Sequence, residues 1–296
     1  MKIGTKLNLL LTIVFVSGIL ISGIALSSVL QQKAQDEVTS KALVLIQTMS
    51  SVRNYTDTHI TPLLESKLQT DPVFIPETVP AYSAIDVFED LRKNDAYKNF
   101  FYKEATLNPT NLRDKADSFE TNLVNQFRSE PATKELSGFR TLVEGKSFYI
   151  ARPLAVTQQS CLQCHSTPAA APKSQIEGYG TENGFGWKLN EIIAAQIISV
   201  PADDIFANAH RSLFLVMGIL VIIFAMVAIL MNLLLRRTVL QRIKRMVKIA
   251  HDVSTGDMNS DFGKPAKDEI GALAVAFNRM KSSLEIALRL LNQQSK

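Results

Sequence analysis

The distribution of charge along the chain separates stretches of very different polarity. Residues 7–32 and residues 212–235 contain no charged side chain. As a helix, each stretch is long enough to cross the roughly 30 Å of hydrocarbon in a bilayer. The pattern predicts two membrane spans, in residues 1–32 and 212–235, with a polar segment of residues 33–211 between them.

Basic residues lie on the same side of both predicted spans. Lys2 and Lys6 precede the first span, and a run of basic residues without an intervening acid follows the second. By the positive-inside rule, both ends are cytoplasmic and residues 33–211 lie on the other side of the membrane. The run after the second span consists of Arg236, Arg237, Arg242, Lys244, Arg245 and Lys248.

Two other interpretations of these basic and apolar stretches are weaker. The first span could be a cleaved signal peptide, but its apolar run is long and Ala25-Leu-Ser27 only approximates a cleavage site. The net charge of +4 and pI of about 9.0 could indicate nucleic-acid binding. Because the clustered bases directly follow a span, orientation and anionic lipid explain them, and we expect no nucleic-acid partner.

The segment between the spans shows helical periodicity first and strand periodicity later. Three stretches carry apolar residues at helical spacing, and two later stretches alternate apolar and polar residues. We expect an α+β domain in which helices flank an antiparallel sheet. The predicted helices are residues 34–55, 81–101 and 113–127; the strands are a hairpin in 138–154, turning at Glu144-Gly145, and residues 192–200.

The most specific chemistry is the sequence Cys161-Leu-Gln-Cys164-His165, the spacing of covalent c-type haem attachment. Two thiols three positions apart can bond the two vinyl groups on one edge of a porphyrin, and the adjacent histidine can bind the iron. The chain has only these two cysteines. A local disulfide, a thioredoxin-like pair and half of a zinc site are the alternatives, and none of them explains His165 as well.

The surroundings of a haem at this motif are less defined by the sequence. Met49 and His59 are the two candidate distal iron ligands, with no protein ligand as the third possibility. Arg53 and Arg152 could pair with the haem propionates. Trp187, in a glycine-rich loop after the motif, could wall a haem edge; ordinary core and surface roles are equally open for these three.

The chain after the second span contains two helical stretches with apolar residues at alternating spacings of three and four. Each is an a/d seam that needs partners, and four such helices from two chains would form a parallel coiled-coil bundle and a homodimer. The seams are Val239, Ile243, Met246, Ala250 and Val253, then Ile270, Leu273, Phe277, Met280, Leu284, Ala287 and Leu291.

Residues 236–291 resemble a HAMP domain, followed by a short tail at 292–296. The connector Gly256-x-Met258-x-x-x-Phe262 and the second helix, which begins Asp268-Glu-Ile-Gly-x-Leu and continues to Met280, match its pattern. Arg242 departs from it, because first HAMP helices often carry proline there. The resemblance implies a homodimer that passes conformational change to a signalling partner.

Residues 33–211 resemble a family of PAS-like domains with a single c-type haem, found in photosynthetic and other bacteria. The matching stretches include Val52-Arg-x-Tyr-Thr, Lys103-Glu-Ala-Thr-Leu-Asn-Pro-Thr-Asn, the haem motif with Pro168, and Tyr179-Gly-x-x-Asn-Gly-Phe-Gly-Trp. Some relatives use a distal cysteine, which this chain lacks. Met49 lies near the equivalent helix position and is ranked first as distal ligand.

These features favour a transmembrane haem sensor of redox state or a diatomic gas that signals to a partner in trans, such as a kinase. The alternative is a membrane-anchored monohaem cytochrome for electron transfer, for which a HAMP domain has no evident use. We find no phosphate-binding glycine loop and no acid/base constellation in the sequence. We therefore expect a receptor with one haem c and no enzymatic activity.

Overall fold

The computed structural model describes residues 3–142, 145–261 and 267–294. The chain forms two units. One comprises residues 27–212, and the other comprises residues 1–26 together with 213–296.

The first unit contains the predicted antiparallel sheet. Its strands are β1 (Phe101–Thr106), β2 (Leu136–Leu142), β3 (Gly145–Ala155) and β4 (Ile192–Pro201), in the order β1-β4-β3-β2. All three pairings are antiparallel, and β4 is central because it pairs with both β1 and β3. The α+β class predicted from the sequence is confirmed.

Helices of different lengths precede, interrupt and follow the strands. The long α1 (Ile3–Tyr55) continues through a π turn, Thr56–Ile60, into α2 (Thr61–Thr70). The remaining helices are α3 (Pro80–Arg92), α4 (Ser118–Ser129), α5 (Cys161–His165), α6 (Lys173–Tyr179), α7 (Asp203–Leu235), α8 (Gln241–Ser254) and α9 (Glu269–Gln294).

Each face of the sheet packs against helices. Because successive side chains in a strand point to opposite faces, Ile198 of β4 joins one core and Ile197 joins the other. The first core contains Phe88 of α3 and the inward face of α1, and the second contains Phe127 of α4. The sheet is therefore the middle layer, with α1 and α3 on one side and α4 on the other.

Two predicted helix boundaries differ from the observed ones. The helix predicted for residues 81–101 ends at Arg92, and the residues from Phe101 onward form β1. The helix predicted for residues 113–127 begins at Ser118, where Asp117 forms a capping box with Glu120. In this box Asp117 Oδ1 accepts from Glu120 N at 2.7 Å and Glu120 Oε2 accepts from Asp117 N at 2.9 Å, which fixes the helix start. Glu144, placed at the hairpin turn, lies outside the described residues.

The second unit contains most of the uncharged stretches 7–32 and 212–235, which belong to two helical segments long and apolar enough to cross a membrane. Their most apolar windows have mean hydropathies of 2.6 and 3.2. Within the unit, the ring of Phe15 in α1 stacks on that of Phe224 in α7 with 5.3 Å between centroids. Two candidate membrane helices are thus present, as the charge pattern predicted.

The helices α8 and α9 of this unit are joined by an ion pair. Arg242 pairs with Asp268, and Asp268 Oδ1 also accepts the backbone N–H of Gly271 at 2.8 Å, capping α9. These hydrogen bonds hold the pKa of Asp268 below its usual value. Arg242, the departure from the HAMP pattern, therefore anchors the start of the second helix. Phe262 and the side chain of Leu291 lie outside the described part of the chain.

The buried ring of Phe88 provides a test of the first core. Phe88→Ala should lower the free energy of unfolding by about 3–5 kcal/mol, because it removes a fully buried aromatic side chain and leaves a cavity. The control Val87→Ala, at a side chain that is 47% exposed, should change it by at most about 0.5 kcal/mol. Urea unfolding of the detergent-solubilised protein, followed by the fluorescence of the single tryptophan, measures both. Equal effects of the two changes would contradict this packing.

Candidate functional site

A cavity of about 360 Å³ lies beside the short helix α5. Small-molecule and cofactor sites commonly have volumes of about 300–1,000 Å³. The walls come from the end of α1, the loop before α3, β1, α5 and the start of β4. Among the lining residues are Arg53, Tyr82, Glu104, Arg113, Cys161, Cys164, His165, Gln175, Trp187 and Ala194.

Helix α5 places both cysteines on the cavity wall. Residues three apart lie on the same face of a helix, so Cys161 and Cys164 line one side together. Both thiols are half-buried and free. Burial raises the pKa of each thiol, whereas the reactive thiol of a redox pair usually has a lowered pKa. The site therefore favours neutral thiols over a thioredoxin-like pair.

The imidazole of His165 is held in one orientation. Its Nδ1 lies 2.8 Å from the carbonyl oxygen of Gly184, and its ring stacks on Trp187 with 3.8 Å between centroids. Because a carbonyl only accepts, Nδ1 carries the proton and Nε2 keeps its lone pair. Burial lowers the pKa of His165, while the Gly184 hydrogen bond acts in the opposite direction. The ring is a neutral imidazole with one nitrogen available to bind a metal.

The glycine-rich loop supplies that orientation through a special backbone conformation. Gly184 has a φ of +83°, and a Cβ at this position would lie 2.8 Å from Thr110 Cα. Asn108 holds the loop at two points: its Oδ1 accepts from Gly184 N at 3.1 Å and its Nδ2 donates to Phe185 O at 3.1 Å. Only glycine fits this close approach. Asn108 was not singled out by sequence reasoning, although it lies in a stretch that carries the family resemblance.

A chain of buried polar groups runs from the cavity wall through the sheet. Arg53 forms an ion pair with Glu104, whose other carboxylate oxygen accepts from the Tyr102 hydroxyl at 2.7 Å. Gln196 Nε2 donates to that hydroxyl at 2.9 Å, and Ser50 Oγ donates to Gln196 Oε1 at 3.0 Å. This chain of polar groups therefore links the cavity to α1, β1 and β4.

These surroundings control the ionisation of the buried groups. Burial alone would lower the pKa of Arg53, but the charge of Glu104 raises it above its usual value. Burial is also the main cause that raises the pKa of Tyr102, so its hydroxyl stays neutral and donates. Arg53 therefore stays charged and Tyr102 stays neutral over the physiological pH range.

Three residues singled out by the sequence do not line the cavity in the part of the chain that the structure describes. Met49 is buried in the core between α1, α3 and the sheet. His59 is exposed, with its ring stacked on Tyr55 at 4.8 Å. Arg152 pairs with Glu135, with Nε 2.9 Å from Oε2. Of the two predicted arginines, only Arg53, one helical turn after Met49, reaches the cavity.

Two lining residues were missed by sequence reasoning. Arg113 was assigned to a helix but lies in a 3-10 turn, where its guanidinium is over the ring of Tyr82 at 5.2 Å. Gln175 is buried and donates from Nε2 to Cys164 O at 3.1 Å. Its Oε1 has no hydrogen-bond partner among the described residues. A buried acceptor of this kind requires a donor from whatever fills the cavity, water included.

A metal ion held by protein side chains alone, such as zinc, is the other way in which this motif could bind a metal. Within the described ranges, we find no group of three or more His, Cys, Asp and Glu side chains that could hold a metal ion by themselves. The zinc interpretation of the cysteine motif therefore has no ligand set in this part of the chain. The lone imidazole nitrogen and two adjacent thiols instead fit a ligand that brings its own metal.

The fold and the cavity define a class: an α+β domain with a Cys-x-x-Cys-His motif in a cofactor-sized cavity, in a chain with two candidate membrane helices. The comparison with family models is more specific. The Tll0287-like model matches residues 31–201, and the HAMP domain model matches residues 234–286. The chain belongs to the Tll0287-like family and carries a HAMP domain, which confirms both resemblances in the sequence.

Among solved structures, the chain is similar to the cyanobacterial heme-protein Tll0287. The identity is 17%, the similarity covers 56% of this chain and 95% of that chain, and the TM-score is 0.41. In the comparison with curated proteins, none matches this chain.

The polar chain behind the cavity can be tested through Tyr102. Tyr102→Phe should cost about 1–3 kcal/mol of unfolding free energy, because Glu104 loses a donor and Gln196 loses an acceptor, both in buried surroundings. Tyr55→Phe, at a ring that is 56% exposed, is the matched control and should be nearly neutral. Urea unfolding compares them. A cost for Tyr102→Phe no larger than for the control would mean that the network does not stabilise the fold.

Proposed function

We propose that this chain is a membrane haem sensor that carries one covalent haem c in its periplasmic domain and signals through its HAMP domain. The observation that carries the proposal is the joint position of Cys161, Cys164 and His165 on one cavity wall, with His165 Nε2 available. The name of the similar solved protein supports a haem. The family match and the HAMP match support the coupling of a sensor to a relay.

The residues present fit a c-type haem. When bound, haem supplies an iron that changes oxidation state and can accept axial ligands. Each thiol would add across one vinyl group, forming a C–S bond while the thiol hydrogen goes to the other vinyl carbon, so no oxidant is required. His165 would bind the iron through Nε2, and Trp187 and Gly184 would keep its ring in place. We assign a propionate to Arg113, whose side chain is more exposed than that of Arg53.

Strand β4 is the element that we propose to transmit the change. Its first residues, Ile193 and Ala194, line the cavity, and its last residue, Pro201, lies two positions before α7. This junction is fixed to β3, because Asp203 Oδ2 accepts from Lys146 N at 2.9 Å. A shift at the cavity wall would therefore move the start of α7 by the roughly 1–2 Å typical of such transitions.

The receiving end is proposed to be a parallel homodimer of the HAMP helices. Leu273, Met280 and Leu284 occupy a/d positions of α9 and are 52%, 57% and 44% exposed in a single chain. Packing these apolar side chains against a second copy would bury them. The output would reach a partner in trans, such as a kinase, so the chain acts as a receptor and not as an enzyme. This topology puts both ends in the cytoplasm and a PAS-like sensor domain in the periplasm.

The covalent attachment has a direct test. Replacing both cysteines, Cys161→Ser with Cys164→Ser, should abolish haem staining of the denatured protein on a gel, because both thioether bonds are lost. Thr167→Ala, at an exposed residue next to the motif, is the control and should stain like the unmodified protein. Haem that survives denaturation in the double variant would overturn the assignment.

The relay is tested by crosslinking single cysteines in α9. Met280→Cys should crosslink between chains with a bifunctional maleimide, which reacts whether the haem is oxidised or reduced. Ser282→Cys, on the outer face of the predicted seam, should crosslink poorly. We expect the Met280→Cys yield to change by at least about twofold between the two haem states, since small helix shifts alter seam spacing.

An unchanging yield would contradict the sensor. A Met280→Cys dimer that forms equally well in both haem states would leave the HAMP bundle intact but remove the evidence for a relay. The membrane-anchored cytochrome for electron transfer would then become the better description.

A further inference from the structure

The cavity contains few side chains that bind haem iron strongly. Sulfur and imidazole groups are the usual protein ligands of low-spin haem. Among the described residues that line the cavity, these groups belong only to Cys161, Cys164 and His165, which the haem motif already uses. The other polar lining groups are carboxylates, aliphatic hydroxyls, amides, guanidinium groups, the indole of Trp187 and two phenols. Of the phenols, Tyr82 lies under the guanidinium of Arg113 and Tyr179 packs edge-on against Phe74.

The two candidate distal ligands from the sequence are engaged elsewhere. Met49 is 2% exposed and packs in the core with Ala84 and Phe88 of α3. His59 lies at the surface, with Nδ1 2.8 Å from the Thr58 hydroxyl and its ring on Tyr55. Neither side chain is among the described residues that line the cavity.

Arg53 is the polar group best prepared for a ligand inside the cavity. Its Nη1 donates to Glu104, and Glu104 is fixed in turn by Tyr102. A guanidinium has five N–H donors, and in the described part of the chain no other hydrogen bond of this one is recorded. Asp57, one turn further on, already accepts from Gln158. Arg53 therefore presents a fixed positive charge with unused donors at the cavity wall.

We infer that the haem iron receives one protein ligand, His165, and that its other axial position binds a small exogenous ligand whose free end accepts a hydrogen bond from Arg53. The inference rests on the proposed haem site and specifies what it senses. Diatomic oxygen, nitric oxide and small anions share this chemistry.

The experiment uses the full-length, haem-loaded protein in detergent and two probes. Fluoride binds ferric haem and accepts a strong hydrogen bond, whereas carbon monoxide binds ferrous haem and is a poor acceptor. We expect a high-spin ferric spectrum, binding of both probes, and electron paramagnetic resonance without a low-spin signal. Met49→Leu and His59→Ala should leave these spectra unchanged, since both residues lie outside the cavity.

Substitution of Arg53 tests the hydrogen bond to the exogenous ligand separately from the ability of the iron to bind one. Arg53→Leu combined with Glu104→Gln avoids an unpaired buried carboxylate, and it should weaken fluoride binding by at least about tenfold, the effect of losing a charged hydrogen bond. Carbon monoxide affinity should change far less. Arg152→Leu is the matched control at an arginine outside the cavity and should bind fluoride like the unmodified protein. Arg53→Lys, which keeps the charge and Glu104, should retain part of the affinity.

Two results would overturn the inference without touching the haem assignment. One is a low-spin ferric spectrum that becomes high-spin in Met49→Leu or His59→Ala, which would identify a protein ligand. The other is an equal fluoride affinity in the Arg53 and Arg152 variants, which would remove Arg53 from the ligand site. Protein without covalently bound haem would instead refute the proposed function itself.

Discussion

The hydrogen bond from His165 Nδ1 to the Gly184 carbonyl is the interaction on which the site depends. It fixes the tautomer, so the lone pair of Nε2 faces away from the loop. Gly184 presents this carbonyl with a φ of +83° and lies too close to Thr110 for any side chain, so glycine is required there. Asn108 then holds the loop from both sides. The motif supplies the imidazole, and a loop some twenty residues later supplies its orientation.

The second constraint is the burial of charge in the middle of a sheet. Glu104 is 4% exposed, which would be costly if it were not paired with Arg53 and bonded to Tyr102. This requirement places Arg53, Tyr102 and Gln196 in one polar chain that crosses the core. Gln196 lies on β4, the strand that also lines the cavity and leads to α7. One strand therefore carries part of the buried polar chain and the connection from the cavity to α7. This arrangement suits the proposed transmission of a small displacement through β4.

Some of this could be predicted from the sequence, and physical reasons explain the rest. The haem motif was predicted from the spacing of its cysteines and histidine. The β2–β3 hairpin and β4 were predicted from the alternation of apolar and polar residues, and in the fold these residues do form strands. Strand β1 was missed because the buried Glu104 interrupts the apolar alternation, and only its ion pair with Arg53 makes that acceptable. The family and HAMP resemblances were confirmed because their motifs are long and specific. Helical periodicity correctly places Met49 on the buried face of α1. It does not tell whether a residue on that face packs in the core, as Met49 does, or lines the cavity, as Arg53 does one turn later.

The proposed bond between His165 and the haem iron can be tested by resonance Raman spectroscopy of the ferrous protein. The chain has four histidines, so a variant with His59→Ala, His210→Ala and His251→Ala leaves His165 alone. Labelling its imidazole with ¹⁵N should move an iron–histidine stretching band to lower frequency. A five-coordinate ferrous spectrum in which no low-frequency band responds to the label would contradict ligation by His165.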